Sequence, residues 1–313
     1  MTRRNEPLTQ EQLRGVFTAI ITPMHANDDI DYERFDRLIE DQIAAGIHGL
    51  VIAGTTGQSA TLEHEEQIGL IRHAHERING RIYTIAAAGS NNTREAVHMS
   101  QRIQEEIGPT TMLHVTGYYN QPPQEGLIAH FSAVADSLRV GGSNIILYNV
   151  PGRTRSNIEG DTYVTLSQHP NIIGIKEASG EDTTEQGRFN MTRRDSMRLA
   201  ILSGDDGHFV RLMMSTMGNG IISATSNVAP RYFLDMFEAV KRKDYNAAQA
   251  HQKAAQELVD LTFAATNPIP LAHMFNTHVR LPLVRLPRLE RRIQETLSRY
   301  TPQQLGIDMS RYR

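Results

Sequence analysis

Three observations predict a (β/α)8 barrel, a TIM barrel in the α/β class, with a C-terminal helical appendage. Eight short apolar runs rich in β-branched residues recur between residues 16 and 223, about 20 to 33 residues apart. Helix-period patterns fill the gaps between the first runs, and such alternation indicates a parallel sheet covered by helices. No G-x-G-x-x-G follows the first run, so the doubly wound alternative lacks its usual phosphate loop.

The predicted elements follow one another in strand–helix order. The predicted strands are 16–22, 49–53, 82–87, 112–115, 145–148, 172–175, 199–202 and 220–223. The predicted helices between the first five strands are 32–45, 63–78, 93–107 and 124–138. From Pro230 onward the pattern is helical, with helices at 232–241, 245–263 and about 289–297 and a proline-rich stretch at 267–270. We therefore assign residues 1–235 to the barrel and 236–313 to a helical domain that packs on the barrel or on a neighbouring subunit.

Composition excludes several classes of function. The chain has 313 residues, of which 39% are apolar and 21% charged, enough for a large core. A net charge of -3 without blocks of like charge argues against nucleic acid and membrane as partners. The absence of cysteine excludes disulfides, thiolate metal sites and a cysteine nucleophile. Residues 1–8 lack the apolar run of a signal peptide, and no segment approaches membrane-spanning length. We expect a soluble cytoplasmic protein.

The most informative residue is Lys176, which ends the apolar run Asn171–Ile175. An ordinary lysine amine, with a pKa near 10.4, is almost wholly protonated at pH 7 and is a poor nucleophile. Burial disfavours an ammonium ion, and a neutral amine condenses with ketones to give a Schiff base. The structural alternative is a lysine that reaches water from a strand end or pairs with Glu177.

Other polar residues follow other predicted strands, and in a (β/α)8 barrel chemistry lies where strands end. The run Gly54–Thr61 predicts backbone N–H groups converging on an anion at a helix start, or else an ordinary turn. Tyr118 and Tyr119 follow the fourth strand and could simply pack over the rim. Tyr148 and Arg153 offer a phenol and a carboxylate clamp, or else a buried hydroxyl and a solvated arginine.

Five motifs, in the order in which they occur along the chain, resemble those of the pyruvate-dependent lyases and synthases that include dihydrodipicolinate synthase and N-acetylneuraminate lyase. The resemblance covers residues 15 to about 286, and its motifs are 54–57, 118–120, 148–154, 174–178 and 203–206. Arg153 and the stretch 267–270 look like the dihydrodipicolinate synthase branch. Gln58, Gly117 and the stretch Leu271–His273 depart from that branch's usual residues.

The resemblance implies a Schiff base between Lys176 and pyruvate, with no cofactor and no metal. Tyr148 would move protons, and Thr55 and Tyr119 would complete its relay, Tyr119 from a neighbouring subunit. Thr56 would hold the pyruvate carboxylate, Ile222 and Gly204 would line the substrate pocket, and Arg153 would take the carboxylate of L-aspartate 4-semialdehyde. The product would be 4-hydroxy-tetrahydrodipicolinate, an intermediate of lysine (diaminopimelate-pathway) biosynthesis.

The resemblance also implies a homotetramer built as a dimer of dimers, and an L-lysine effector site. Mapped by motif, the candidate effector residues are Ser59, Ala60, His64, Gln67, Asn91, Glu95 and Tyr118. Glu95 can pair with an ammonium group, and Asn91 and Tyr118 can hydrogen-bond a carboxylate. Gln67 stands where lysine-sensitive bacterial relatives often have histidine, which predicts a weakened site.

Two other functions stay open at the level of sequence. One is another Schiff-base aldolase or dehydratase acting on a sugar acid such as N-acetylneuraminate or a 2-keto-3-deoxy acid, which the departures at Gln58 and His273 would suit. The other is a binding protein without activity on the same barrel. The joint presence of Lys176, Tyr148, Thr55 and Tyr119 argues against the second, because a binder has no physical need for a buried lysine.

Overall fold

A computed structural model describes residues 6–180, 196–214 and 218–312. The sequence prediction that residues 1–8 form no signal peptide therefore lies partly outside the described residues. Eight parallel strands close into a barrel in chain order, which confirms the predicted fold class. The strands are β1 (Gly15–Ala19), β2 (Gly49–Ile52), β3 (Tyr83–Ala87), β4 (Thr111–Val115), β5 (Asn144–Asn149), β6 (Ile172–Glu177), β7 (Ala200–Ser203) and β8 (Gly220–Ser223).

Helices surround the barrel and continue beyond its last strand. Around the barrel, the described residues form α1 (Tyr32–Ala45), α2 (His64–Ile78), α3 (Thr93–Ile107), α4 (Gln124–Ser137), α5 (Pro151–Thr154), α6 (Gly160–Leu166), α7 (Phe209–Met214) and α8 (Pro230–Lys241). The helices that follow are α9 (Tyr245–Thr262), α10 (Ile269–Met274), α11 (Pro287–Leu297) and α12 (Pro302–Leu305). The helix predictions for α1 and α3 match to the residue. The predicted boundary between residues 235 and 236 falls inside α8, and the division into two domains stays a prediction.

The first strand ends earlier than its apolar pattern predicts. Residues 16–22 are all buried, but the sheet releases the chain after Ala19. The backbone N–H of Ile21 donates instead to Oδ1 of Asn227 at 3.0 Å, and Asn227 Nδ2 donates to the carbonyl of Ala19 at 2.7 Å. A buried asparagine thus satisfies backbone groups that a longer strand would have paired.

Two apolar cores hold the barrel. The outer core lies between the strands and the helices, and the inner core fills the barrel itself. Leu8 and Leu13, from the segment before β1, belong to the inner core together with Phe17. The backbone N–H of Leu8 donates to Oγ1 of Thr111 at 2.8 Å, so the segment is tied to β4. Each buried leucine stabilises the fold by about 1.5–3 kcal/mol. The two leucines fill the end of the barrel where the strands begin, and the site lies at the end where the strands finish.

The C-terminal tail packs back onto the barrel helices. The Tyr312 hydroxyl donates to Asp41 Oδ2 on α1 at 2.6 Å, and Arg311 pairs with the same carboxylate. Arg34 on α1 donates to the carbonyls of Phe275 and Asn276, just after α10. Desolvation and the neighbouring Asp41 carboxylate raise the pKa of the buried Tyr312 hydroxyl, so it remains a hydrogen-bond donor.

Candidate active site

Lys176 and Tyr148 lie side by side at the carboxyl ends of adjacent strands. The register of β5 and β6 pairs Tyr148 with Lys176 directly. The Lys176 side chain is only 7% exposed, and its Nζ lies 4.2 Å from the centroid of the Tyr148 ring. Within residues 6–180, 196–214 and 218–312, Nζ forms no hydrogen bond or salt bridge. A buried amine over an aromatic face, without a carboxylate in contact, is placed for chemistry more than for a structural ion pair.

A β-bulge determines that Lys176 faces the barrel interior. Ile145 pairs with Ile172, but Ile146 pairs with Gly174, so β6 contains one extra residue at Ile173. Ile173 belongs to the inner core and Ile175 to the outer core. A Cβ on Gly174 would lie 2.4 Å from Leu13 Cδ2, which shows that this position also faces inward and has room only for glycine. Two consecutive inward residues shift the alternation, and the next inward side chain is Lys176.

A cavity of about 130 Å³ opens where these residues meet. Seven of the eight predicted catalytic and substrate-binding residues line it: Thr55, Thr56, Tyr148, Arg153, Lys176, Gly204 and Ile222. Ile222 is buried in β8, and Gly204 follows β7. A Cβ on Gly204 would lie 3.2 Å from Lys176 Cε and 2.7 Å from the Cβ of Ala178, so this glycine packs directly against the lysine side chain.

The chain after β2 presents donors to the cavity. In the part of the chain that the structure describes, the backbone N–H groups of Thr55 and Thr56 donate to no other group of the protein. Thr56 is buried, and its Oγ1 accepts a hydrogen bond from Asn267 Nδ2 at 2.9 Å. Because that lone pair is occupied, the Thr56 hydroxyl proton is available to an acceptor in the cavity. These donors suit a carboxylate.

The helix predicted at 63–78 begins one residue later, at His64, and no α-helix starts within the run Gly54–Thr61 itself. Residues Ser59–Thr61 form a single 3-10 turn, and α2 begins only at His64. The N-cap of α2 is Glu63, whose backbone N–H is satisfied by the Glu66 side chain at 2.9 Å. The anion-binding donors therefore belong to the loop after β2, and the first turn of α2 is closed by its own capping box.

Tyr119 lies apart from the cavity of its own chain. Its side chain is 88% exposed, and its backbone has a φ of 74°, which is uncommon for a residue other than glycine. The backbone N–H donates to the carbonyl of Thr154 at 3.2 Å, and Thr116 Oγ1 donates to Thr154 Oγ1 at 3.1 Å. Two hydrogen bonds to Thr154, the last residue of α5, thus hold the loop after β4 in a strained conformation that projects the Tyr119 side chain outward. Among the described residues, the hydroxyls of Thr55, Tyr148 and Tyr119 form no hydrogen bond with one another.

Arg153 lies at the rim on the short helix α5, and its side chain is exposed. It lines the barrel cavity and also a second, adjoining cavity of about 570 Å³. A guanidinium that reaches both spaces can meet a carboxylate entering from solvent.

Asp206 places a buried carboxyl group near the lysine. The residue follows β7 and is 1% exposed. Burial raises the pKa of the Asp206 carboxyl, while hydrogen bonds from Thr225 and Ser223 and the positive charge of Lys176 oppose the rise. Its Oδ2 accepts the backbone N–H of Thr225 at 2.7 Å, and its Oδ1 has no partner among the described residues.

The second cavity collects the predicted effector residues. Six of the seven line it, namely Ser59, Ala60, His64, Gln67, Glu95 and Tyr118. The seventh, Asn91, donates from Nδ2 to the carbonyl of Tyr118 at 3.2 Å. Glu95 accepts from the Ser90 hydroxyl and lies 3.0 Å from His64 Nε2. Gln67 lines both cavities, and its Nε2 donates to the carbonyl of Ala87 at 2.8 Å.

The departures from the family pattern have structural explanations. Gln58 Oε1 accepts the backbone N–H of Arg280 at 3.1 Å, so its amide ties the loop after β2 to the C-terminal segment. His273 is buried, with Nε2 accepting from the Leu286 backbone at 2.8 Å and Nδ1 lying 2.7 Å from Glu290. It fastens α10 to α11 and does not line either cavity. A Cβ on Gly117 would lie 3.2 Å from Pro122 Cγ, inside its own loop.

The sequence analysis assigned no role to Asn267, which binds Thr56, or to Asp206, which lies near Lys176, although both fall in the quoted stretches 267–270 and 203–206. Asn267 begins the proline-rich stretch 267–270 that resembles the family branch, and this pattern gives its side chain no partner. Its contact with Thr56 joins residues 211 positions apart, so no local pattern could reveal it.

The described residues contain no cluster of histidine and carboxylate groups suited to a metal ion. None of their helices has the length and hydropathy needed to cross a membrane.

The sequence matches one protein family and its relatives over most of the chain. The model of the Dihydrodipicolinate synthetase family matches residues 12–298. A 4-hydroxy-tetrahydrodipicolinate synthase from Nitrosospira multiformis is 40% identical over 306 residues, covering 95% of this chain and 97% of the relative.

Two solved structures are also similar. Acinetobacter baumannii dihydrodipicolinate synthase, solved in complex with pyruvate, has a TM-score of 0.84 at 34% identity, covering 91% of this chain and 98% of that one. The enzyme from Cyanidioschyzon merolae, solved with lysine bound, has a TM-score of 0.83 at 31% identity, covering 92% and 98%. With a family model matched over most of its length and relatives this similar along the whole barrel, the chain belongs to the dihydrodipicolinate synthetase family.

Proposed function

We propose that this protein is a 4-hydroxy-tetrahydrodipicolinate synthase, a lyase that condenses pyruvate with L-aspartate 4-semialdehyde through a Schiff base on Lys176. The observation that supports this most is the buried Lys176 amine over Tyr148, in a cavity that also holds the free N–H groups of Thr55 and Thr56. The relatives named above carry the same activity in their names.

The first step joins pyruvate to the enzyme. Lys176 Nζ attacks the ketone carbon, a C–N bond forms, and the ketone oxygen leaves as water to give a protonated imine. The Thr56 N–H and hydroxyl hold the pyruvate carboxylate, as the free donors on this loop suggest, and Ile222 lines the same cavity. Gly204 leaves space for the substituted lysine.

The second step makes a carbon nucleophile. The positive imine withdraws electrons, so a methyl proton is lost and an enamine forms on Lys176. Tyr148 is the group beside Nζ, and we assign it the transfer of protons to and from the bound substrate. Thr55 shares the cavity with it. Tyr119 of a neighbouring subunit would complete the relay, because in its own chain it points away.

The third step forms the new carbon–carbon bond. The enamine attacks the aldehyde carbon of L-aspartate 4-semialdehyde, whose carboxylate Arg153 receives at the rim. The amino group of the second substrate then attacks the imine carbon, which closes the ring and releases Lys176. The chemistry uses only side chains and substrate groups, so we expect no metal and no cofactor.

Product identification tests the proposal. Purified protein is supplied with pyruvate and L-aspartate 4-semialdehyde, and the products are identified by mass spectrometry. The same protein is tested with N-acetylneuraminate and with a 2-keto-3-deoxy acid. We expect turnover of the first pair, with borohydride and pyruvate adding mass at Lys176 and none in a Lys176→Ala variant. Turnover of a sugar acid alone would identify the other aldolase activity, and trapping at another lysine would refute the mechanism.

Two further properties belong to the proposal. The exposed Tyr118 and Tyr119, on a loop with a positive φ at Tyr119, favour a homotetramer built as a dimer of dimers, in which Tyr119 enters a neighbouring site. The second cavity, with Glu95, Asn91 and Tyr118 around it, favours an L-lysine effector site, and a lysine-bound structure exists for a relative. A cytoplasmic location stays a prediction.

A further inference from the structure

Directly behind the active-site pair lies a second pair of residues that the mechanism does not use. Tyr148 and Lys176 face the cavity, and the next residues of the two strands, Asn149 and Glu177, are also paired in register. Side chains alternate along a strand, so Asn149 and Glu177 face the layer of helices. Both are buried, Glu177 with only 4% of its surface exposed.

A side-chain network joins these two residues to α6. Asn149 Nδ2 donates to Glu177 Oε1 at 3.0 Å. The hydroxyl of Tyr163, which is on α6, donates to Glu177 Oε2 at 2.8 Å. Asn149 Oδ1 accepts the backbone N–H of Ile158 at 3.1 Å, which anchors the segment leading into α6. Both oxygens of a buried carboxylate are therefore bound by groups from two other elements.

The bulge in β6 explains why such a network matters here. The extra residue at Ile173 lies only three positions before Lys176. If β6 moved by one residue, the side chains would exchange faces, and Glu177 would enter the cavity in place of Lys176. The backbone ladder alone does not distinguish the two registers, because every residue of a strand carries the same N–H and C=O groups. The side chain of Glu177 does distinguish them, since only the present register brings it to Asn149 and Tyr163.

Stability by itself is a weak reason for this arrangement. A buried charged group pays a desolvation penalty that its hydrogen bonds offset only in part, and apolar replacements are often as stable. The barrel already has two apolar cores and a closed ladder of strands. The network adds a fixed position of Lys176 relative to Tyr148.

We propose that Glu177 is a positioning residue, which, through Asn149 and Tyr163, keeps Lys176 facing the cavity beside Tyr148. The inference rests on the proposed Schiff-base function of Lys176 but not on the identity of the aldehyde substrate. Reactions that depend on a precise approach lose up to about a hundredfold in rate for a misplacement near 1 Å, so loosening the network should slow imine formation.

The test uses Tyr163→Phe and Glu177→Gln. The first removes the hydroxyl that holds Oε2, and the second keeps the size of the side chain and one carbonyl acceptor. Tyr312→Phe is the matched control, because Tyr312 also donates from a buried hydroxyl to a carboxylate, that of Asp41, far along the chain from the site. The measurements are the rate of imine formation with pyruvate, trapped by borohydride and followed by intact mass, and the melting temperature.

We expect Tyr163→Phe to form the imine about tenfold more slowly, with KM for pyruvate nearly unchanged because the carboxylate donors are untouched. Glu177→Gln should fall between this variant and wild type, since the Tyr163 hydroxyl can accept from the new amide. The double variant should form the imine only a little more slowly than Tyr163→Phe alone, because both changes act through one contact. Tyr312→Phe should lose thermal stability to a similar degree and keep the wild-type rate of imine formation.

Wild-type imine formation in Tyr163→Phe and Glu177→Gln, with melting temperatures lowered like that of Tyr312→Phe, would show a purely structural network and overturn the inference. If the wild-type protein forms the imine but no product with L-aspartate 4-semialdehyde, the proposed function fails while the inference is still tested by trapping. A wild-type protein that forms no imine at all overturns both.

Discussion

At the scale of single residues, we expect Arg153 to bind the second substrate and not pyruvate. Its guanidinium lies at the rim and lines both cavities, whereas Lys176 is buried below. We expect Arg153→Lys to keep the charge but lose the planar two-donor fork that binds a carboxylate. Hydrogen bonds to charged groups contribute about 1.5–3 kcal/mol, so use of the aldehyde substrate should weaken about 10- to 100-fold.

The measurement is steady-state kinetics with the aldehyde varied, next to borohydride trapping of the pyruvate imine. Trapping should proceed at the wild-type rate, because imine formation precedes the aldehyde. Equal loss of both reactions would mean that Arg153 supports the structure of the loop and does not bind substrate.

Gly204 sets the space available to the Lys176 side chain. An added Cβ would lie 3.2 Å from Lys176 Cε, 3.0 Å from the carbonyl oxygen of Glu177 and 2.7 Å from the Ala178 side chain. We expect Gly204→Ala to displace the lysine and to slow imine trapping by about tenfold or more, at a stability loss of about 1–3 kcal/mol from overpacking. Gly207→Ala is the matched control, since nothing lies within 4 Å of its added Cβ. If Gly204→Ala traps the imine as fast as this control, the close packing is not part of the site.

The sequence predicted most of the residues that line the cavity, but it did not predict the contacts that hold them in place. Lys176, Tyr148 and Arg153 could be predicted because strand ends of a barrel meet at one face. Asn267 could not, because its contact with Thr56 crosses 211 residues. The exposure of Tyr119 fits the family resemblance, which implied a role in a neighbouring subunit, but the residue pattern alone could not predict it, since a tyrosine in a loop packs on its own rim as readily as it projects.

At the scale of elements, apolar runs predicted the strands, but they did not predict their phase. Ile172, Ile173 and Ile175 look alike in sequence, yet Ile173 faces the inner core and the other two face the outer core. The bulge that causes this depends on the space beside Leu13, a residue from before β1. The predicted end of β1, at residue 22, was wrong for a similar reason. The side chain of Asn227, which follows β8, replaces the sheet as the hydrogen-bond partner of the Ile21 N–H.

We expect two buried histidines between β4 and the surrounding helices to make the stability of the fold depend on pH. His114 on β4 is fully buried, and burial, together with the nearby His130, lowers its pKa to about 3. Burial also lowers the pKa of His130, whose Nδ1 lies 2.9 Å from Thr93 Oγ1. Both side chains are therefore neutral in the folded protein near neutral pH.

Between pH 6.5 and about 3, the unfolded chain binds a proton at His114 that the folded chain does not. The free energy of unfolding should therefore fall as the pH falls below 6.5, by a few kcal/mol. Chemical denaturation at pH 8 and pH 5 measures the difference. We expect His114→Gln to reduce it clearly and His98→Gln, an exposed histidine on α3, to leave it unchanged. An undiminished difference in His114→Gln would assign the pH dependence to other groups.

At the scale of the whole molecule, the two cavities share lining residues. Gln67, Thr55 and Arg153 line both, so a ligand in the larger cavity contacts residues of the smaller one. We therefore expect an amino acid bound near Glu95 and Tyr118 to alter catalysis through these shared side chains.

We expect partial inhibition by L-lysine, because Glu95 can pair with the ammonium group but is already bound to Ser90 and His64. Titration calorimetry at millimolar lysine should detect binding in the wild type, and Glu95→Ala should abolish it while most catalysis remains. Glu105→Ala, an exposed carboxylate on the same helix, should bind lysine as the wild type does. Binding that survives Glu95→Ala would place the effector elsewhere, and no heat of binding in the wild type would refute the site.

The assembly itself is tested by subunit mixing. Tyr119 is 88% exposed in its own chain and lies outside the cavity that holds Lys176 and Tyr148. If it completes the relay of a neighbouring subunit, a mixture of Tyr119→Phe and Lys176→Ala chains creates hybrid oligomers with some sites that receive both intact groups. We expect such mixtures to recover activity that neither variant shows alone.

A mixture of Tyr148→Phe and Lys176→Ala chains is the matched control for this recovery. Tyr148 and Lys176 come from adjacent strands of one barrel, so no hybrid can contain an intact site, and no recovery is expected. Native mass spectrometry confirms that the subunits have exchanged. Exchange without recovery in the Tyr119 mixture would place Tyr119 in the site of its own subunit, which would require the strained loop held by Thr154 to change its conformation. Recovery in the Tyr119 mixture alone would show that each active site is completed by a second chain.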